Sequence, residues 1–283
     1  MPDLRYLVET RLQRPEAIAE AAAARERPTW PPGKLLVIAA DHTARGMIEA
    51  GGKPMTDRGD LLDRLLVALA RPGVNGVLGT PDVIEDLLLL GALDGKVVFG
   101  SMNRGGLAGA TWTIDDRFTA YDAAAIEAFD FEGGKLLLRI DPTDERTPRT
   151  LEASARAVSD LAARKRIAMV EPFWSDGSPE GAMRAISVAS ALGTTSAYTW
   201  LKVPIVADME RVMAATTLPS LILGGGGPAA FEAWAHALAL PPVRGLVIGR
   251  SLLYPHDDDV AKAVDTAAAT VGATNPETVR NNP

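Results

Sequence analysis

Eight short runs rich in Val, Ile and Leu, each closing on Gly, Asn, Asp or Pro, alternate with eight helical stretches along the 283 residues of this chain. Continuous apolar strands separated by helices predict a parallel sheet covered by helices. Eight such units behind one leading helical segment predict an α/β fold, a single (β/α)8 TIM barrel, in preference to a doubly wound open sheet. About 250 residues is the usual size of that barrel, so one domain accounts for the length.

The elements follow in order. Residues 1–30 are helical in pattern and are expected to pack on the barrel as an N-terminal capping helix. They lack the apolar core of a signal peptide, and Asp3, Glu9, Glu16, Glu20 and Glu26 are unlike an acid-poor transit peptide. The barrel is assigned to 31–272. Its strands are LLVIAAD (35–41), VNGVLGT (74–80), KVVFGSM (96–102), KLLLRID (135–141), RIAMVEP (166–172), TWLKVPI (199–205), SLILGGG (220–226) and GLVIGRS (245–251). Each unit of about 20 to 40 residues suits one strand, one crossover helix and two loops. Helices are predicted at 60–70, 81–93, 116–129, 148–164, 179–192, 208–215, 228–240 and 258–271, several opened by Asp or Pro. The tail 273–283, ATNPETVRNNP, is expected to be flexible.

Composition removes several classes of function. Lys and Arg number 29 against 36 Asp and Glu, a net charge of −7, and nucleic acid as a main partner would call for clustered cations instead. The longest apolar run, 87–93, falls far short of the roughly 20 residues that span a membrane. With no cysteine there are no disulfides, thiolate nucleophiles or Cys-based metal sites, which fits a reducing cytoplasm. The three histidines, His42, His236 and His256, show no HxH or HExxH spacing, so no metal site is expected.

In a barrel, chemistry belongs at the C-terminal ends of the strands. Those ends offer Asp41 and His42, Asn103 and Arg104, Arg139 and Asp141, Glu171, Lys202, glycines 224–227, and Gly249, Arg250 and Ser251. Strand alternation puts Trp200 and Lys202 on one face and Leu201 and Val203 on the other, so Lys202 is expected to point inward. A buried ammonium must be paired or shed its proton. Lys202 is therefore either a nucleophile toward a carbonyl or the counter-ion of Glu171 or Asp41.

Asp41 is placed to hold a substrate hydroxyl or move its proton, or else to cap a loop. Glu171 shares the inward face with Met169, as acid/base partner or counter-ion of the lysine. His42, of opposite parity, is read as a loop brace. Arg139, inside an apolar strand, points to an interior ion pair or an anionic substrate group, and Arg104 to the same group from a loop. Gly225 and Gly226 after the seventh strand, with Gly249 and Arg250 after the eighth, are placed to bind phosphate. Trp112 and Tyr121 lie in a connection that either covers the pocket or packs.

Lys202 in WLKVP, AADH closing the first strand, VEP closing the fifth, and the LGGGG and IGRS loops together resemble one family. It is the DeoC/LacD/archaeal fructose-bisphosphate aldolase group of class I, Schiff-base aldolases, over roughly 35–255. Within it the chain most resembles the actinobacterial branch associated with inositol catabolism. The resemblance implies a cytoplasmic carbon–carbon lyase without a cofactor, assembled as a homo-oligomer. By it, Lys202 forms the iminium, Asp41 and Glu171 serve hydroxyl binding and proton transfer, and Gly225, Gly226, Gly249 and Arg250 hold the phosphate. It implies 2-deoxy-5-keto-gluconate 6-phosphate as substrate, cleaved to dihydroxyacetone phosphate and malonate semialdehyde, with Arg139 or Arg104 on its carboxylate. Deoxyribose phosphate, a ketose bisphosphate or a sulfo-sugar phosphate are the other aldol substrates. A non-aldolase barrel enzyme and a sugar-phosphate binding protein are the readings outside that chemistry. Two departures stand out: the fifth strand reads EPFW where the fructose-bisphosphate branch has its acid/base tyrosine, and the interior of the fourth strand carries Arg139 where some relatives have a second lysine.

Overall fold

The computed structural model describes residues 2–31, 33–103, 105–108, 114–224 and 229–274. Two helices lead the chain, α1 (Leu4–Gln13) and α2 (Ala17–Ala24), and β1 (Leu35–Ala40) begins the barrel. After β1 come a short 3-10 turn (Thr43–Arg45) and a hairpin of β2 (Glu49–Ala50) and β3 (Lys53–Pro54). The following units are α3 (Arg58–Leu69), β4 (Gly76–Gly79), α4 (Pro81–Leu89), β5 (Val97–Ser101), α5 (Ala123–Ala128), β6 (Gly133–Ile140), α6 (Thr147–Ala163) and β7 (Ile167–Trp174). The last are α7 (Pro179–Ser190), β8 (Thr199–Val203), α8 (Met209–Met213), β9 (Ser220–Leu223), α9 (Ala229–Leu238), β10 (Val243–Ile248), α10 (Arg250–Leu253) and α11 (Val260–Ala273). β1 and β4 to β10 pair in parallel and close the barrel, β10 returning to β1. This is the predicted (β/α)8 TIM barrel. No helix among the described residues is long and apolar enough to cross a membrane.

Alternate residues of each strand divide between two cores. Leu35, Val37, Ala39, Leu78, Val97, Phe99, Ile167, Met169, Leu221 and Val247 fill the barrel interior, with Trp200 against them. The other parity, including Leu36, Ile38, Leu136, Leu138 and Leu201, packs under the helices. Each fully buried Leu or Ile contributes about 1.5–3 kcal/mol, so both layers resist a shift of register.

The barrel floor is closed by the leading segment. Trp30 stacks against Trp200 with centroids 5.7 Å apart and planes tilted 47°. Arg25 donates to the carbonyls of Lys96 (2.6 Å) and Asp130 (3.0 Å) and pairs with Glu132 at 3.2 Å. Arg27 adds a second contact to Glu132 at 2.9 Å, and the other Glu132 oxygen accepts from the Val98 N–H.

Four local expectations are corrected. The leading helix is two helices, because Arg14 ends α1 and Pro15 cannot donate to continue it. The helix expected at 116–129 is only α5: Asp122 is its N-cap, accepting from the Ala125 N–H at 2.7 Å, and residues 116–121 are irregular backbone. The sixth barrel strand stops at Val203, before Pro204, and the eighth stops before Gly249, where α10 begins. The β2–β3 hairpin was not expected; its Gly51-Gly52 turn has φ of 58° and 76°, the positive pair that a two-residue turn of this kind needs.

Candidate active site

Four charged side chains meet inside the barrel mouth. Lys202 Nζ lies 2.9 Å from Glu171 Oε1, Glu171 Oε2 lies 2.5 Å from Lys135 Nζ, and Lys135 Nζ donates to Asp41 Oδ2 at 3.0 Å. Strand register builds this chain. Lys135 pairs with Met169 and Leu137 with Glu171, so the Lys135 side chain lies diagonally across from Glu171. Val170 pairs with Leu201, which sets Glu171 level with Lys202 on the inward face. Asp41 follows β1 directly. None of the four exceeds 9% exposure, so the charges must satisfy one another, and two cations alternating with two anions leave no net charge.

Burial opposes ionisation of Asp41, Lys135 and Glu171, and their partners overcome it. Lys135 and Lys202 hold the Asp41 carboxyl far below the usual carboxylate range, and they lower Glu171 as well. Asp41 and Glu171 together raise the Lys135 ammonium well above an ordinary lysine. Lys135 thus has two anionic partners and Lys202 has one. Lys135 is the residue that the sequence reading missed, having placed no second lysine in the interior of this strand. Parity with Arg139, four residues further on, was the available signal.

Gly249 brings the eighth barrel strand close to the first. A Cβ there would stand 2.3 Å from the Ala39 carbonyl oxygen and 2.6 Å from His42 Cε1. His42 lines the cavity instead of only bracing its loop. Burial depresses its imidazole to about 4, with Lys202, Arg250 and Lys135 pushing the same way against the pull of Asp41, so it is neutral at pH 7. The cavity above the four charges measures about 980 Å³ and takes in Asp41, Lys135, Glu171 and Lys202 at its base and Arg45, Gly249 and Arg250 at its wall.

Of the two readings of Arg139, the structure shows the interior ion pair. Its guanidinium is held by Asp116 at 2.6 and 2.7 Å, and Asp116 also accepts its backbone N–H at 2.8 Å. It does not border the cavity among the described residues. Asn103 likewise turns to structure, bonding the Asp116 carbonyl and both backbone groups of Leu137. Asp141 caps a turn at Thr143. Tyr121 packs edge-on against Phe129 and Phe131. Arg104, Trp112, Gly225 and Gly226 lie outside the described residues, as does most of the expected tail.

A family model described as Cgl0159-like matches residues 33–268. The crystal structure of Cgl0159 from Corynebacterium glutamicum (Brevibacterium flavum) is 47% identical, with a TM-score of 0.92 over 95% of this chain and 97% of that one. A Schiff base forming fructose-1,6-bisphosphate aldolase matches at 19% identity and TM-score 0.65, over 90% of this chain and 99% of that one. An archaeal fructose 1,6-bisphosphate aldolase matches at 18% identity and TM-score 0.66, over 90% and 98%. These last two share the fold. No curated protein matches the chain. The extent of the family match and the identity to Cgl0159 make this chain a member of the Cgl0159-like family.

Proposed function

We propose that this protein is a class I aldolase that cleaves or forms a carbon–carbon bond of a phosphorylated keto-sugar through a Schiff base on Lys202. The observation that carries the reading is the unequal pairing of the two interior lysines. Lys135, between Asp41 and Glu171, stays an ammonium, whereas Lys202 has one carboxylate to which it can pass a proton. The likeness in fold to a Schiff base forming fructose-1,6-bisphosphate aldolase supports the same chemistry.

The steps follow from the contacts. Glu171 Oε1, 2.9 Å away, takes a proton from Lys202 Nζ, and the free amine attacks the substrate carbonyl carbon. Loss of water from the carbinolamine leaves an iminium. Asp41 or Glu171 then removes the proton of the hydroxyl β to the original carbonyl. The carbon–carbon bond breaks, its electrons pass into the iminium, and the aldehyde departs. The enamine regains a proton at carbon, and water releases the ketone and restores Lys202. Lys135 keeps both carboxylates oriented and adds a fixed positive charge beside them. Gly249 and Arg250, with Gly225 and Gly226, hold the phosphate in this reading, and the setting is the cytoplasm.

The finer substrate, 2-deoxy-5-keto-gluconate 6-phosphate, comes from the family resemblance, with Arg139 or Arg104 as the fork for its carboxylate. Asp116 occupies the Arg139 guanidinium and Arg104 lies outside the described residues, so the proposal is stated for a phosphorylated keto-sugar, with the sugar acid as one member of that class.

The test is intact-protein mass after borohydride reduction with dihydroxyacetone phosphate. The expected result is one reduced-ketone adduct in the wild type and none in Lys202→Ala. An adduct that survives in Lys202→Ala and vanishes in Lys135→Met would move the nucleophile to Lys135. The 2.9 Å contact is also what a mere counter-ion of Glu171 would make; that reading predicts no adduct with any sugar phosphate.

A further inference from the structure

The charges that line the cavity do not balance. Lys135 and Lys202 are matched by Asp41 and Glu171, and Lys262 is matched by Asp257 at 2.9 Å. Two guanidiniums remain, Arg45 and Arg250, which make no ion pair among the described residues. Arg45 Nε is buried and has no hydrogen-bond partner. In a chain of net charge −7, the cavity wall carries an excess of two positive charges.

The two arginines come from neighbouring strands. Arg45 closes the 3-10 turn after β1, Arg250 follows β10, and β1 pairs with β10. The segment after Arg45 is tied down over the eighth unit. Lys53 donates to the Pro255 carbonyl and pairs with Asp258 at 2.6 Å, and a Cβ on Gly51 would lie 2.9 Å from the Tyr254 carbonyl oxygen. The Ala108 N–H bonds the Arg45 carbonyl at 2.6 Å and fixes its backbone from the other side.

We propose that Arg45 is a second phosphate ligand, gripping one phosphoryl group together with Arg250, and that the substrate is a monophosphate. This rests on the reading of the cavity as a sugar-phosphate site and names its recognition residue. A phosphate monoester carries about −1.5 to −2 charges at neutral pH, which two guanidiniums neutralise, and guanidinium forks match phosphate oxygens in geometry. Among the described residues no third unpaired cation lines the cavity, so a bisphosphate would leave its second phosphate without a counter-ion.

Calorimetric titration with inorganic phosphate tests this without any turnover. Arg45→Gln and Arg250→Gln should each weaken phosphate binding about tenfold or more, and Arg45→Lys, which keeps the charge but not the fork, should lose less. In borohydride trapping, Arg45→Gln should raise the half-saturating concentration of dihydroxyacetone phosphate and leave that of unphosphorylated dihydroxyacetone unchanged. Wild-type phosphate affinity in a folded Arg45→Gln would overturn the proposal, as would binding of fructose 1,6-bisphosphate more than tenfold tighter than fructose 1-phosphate. Absence of any adduct in the wild type would sink the aldolase reading alone, because the phosphate titration stands without it.

Discussion

Both ends of the barrel carry a cluster of opposite charges around a buried carboxylate, and the two clusters differ in what their atoms face. At the floor, Arg25 and Arg27 close on Glu132, and the same residues bond backbone groups at Lys96, Asp130 and Val98. At the mouth, Lys202, Glu171, Lys135 and Asp41 bond one another in a chain and border a cavity. The floor cluster finishes hydrogen bonds that strand ends would otherwise lack. The mouth cluster leaves charged groups beside space that a ligand can enter. Paired charge is common to both, so the cavity, and not the ion pairs, marks the mouth as the candidate site.

The comparison breaks most sharply at Lys202. Lys202→Ala should reduce aldol cleavage by at least about a thousandfold while the fold persists, because Glu171 keeps Lys135 as its partner. Steady-state assays beside thermal unfolding check it, and activity within tenfold of wild type would remove Lys202 from the chemistry. At the floor the sign reverses: Glu132→Ala should cost about 3–5 kcal/mol in denaturant unfolding by stranding Arg25, with adduct formation in the folded fraction unchanged. A stable but inactive Glu132→Ala would contradict the division of roles.

Acid should act through the mouth. The imidazole of His42 binds its proton near 6.5 when unfolded and near 4 when folded, so the unfolded state takes up protons first as pH falls. Stability present above pH 6.5 is then lost down to about pH 4, by about 3 kcal/mol for this group. Asp41 and Glu171, whose carboxyls are lowered in the fold, add a further loss at more acid pH. His42→Gln should flatten the unfolding midpoint between pH 6.5 and 4; an unchanged slope would assign the acid sensitivity elsewhere. The smallest effect belongs to the surface. Arg71 pairs with Asp265 at the surface, and Arg71→Ala should leave the unfolding midpoint close to that of the wild type and the activity unmoved.

How far the sequence reaches can be followed on single residues. The two-residue period of a strand was enough to turn Lys202 and Glu171 inward, because Leu201 and Val170 had an obvious helix layer to face. Lys135 escaped because it looked like a strand's polar first residue. The strand in fact begins at Gly133, which carries Lys135 into the barrel interior. Arg139 was legible as an interior charge with an ion pair among its readings, but its partner was not: Asp116 comes from a connection that local patterning rendered as helix. Arg45 gave no signal at all, since only the barrel's closure sets the loop after β1 beside the one after β10. Contacts between neighbours in sequence can be read from pattern, whereas pairings across the barrel depend on its closure.

The tilted pair of indoles under the barrel has an optical consequence. Trp30 and Trp200, 5.7 Å apart and tilted by 47°, are close enough for their electronic transitions to couple and to split in circular dichroism. Trp200 shares its strand and face with Lys202, while Trp30 belongs to the segment that precedes β1. The floor of the barrel thus carries an intrinsic chromophore pair that registers, without added dye, whether the leading segment is seated beneath the strand that bears Lys202.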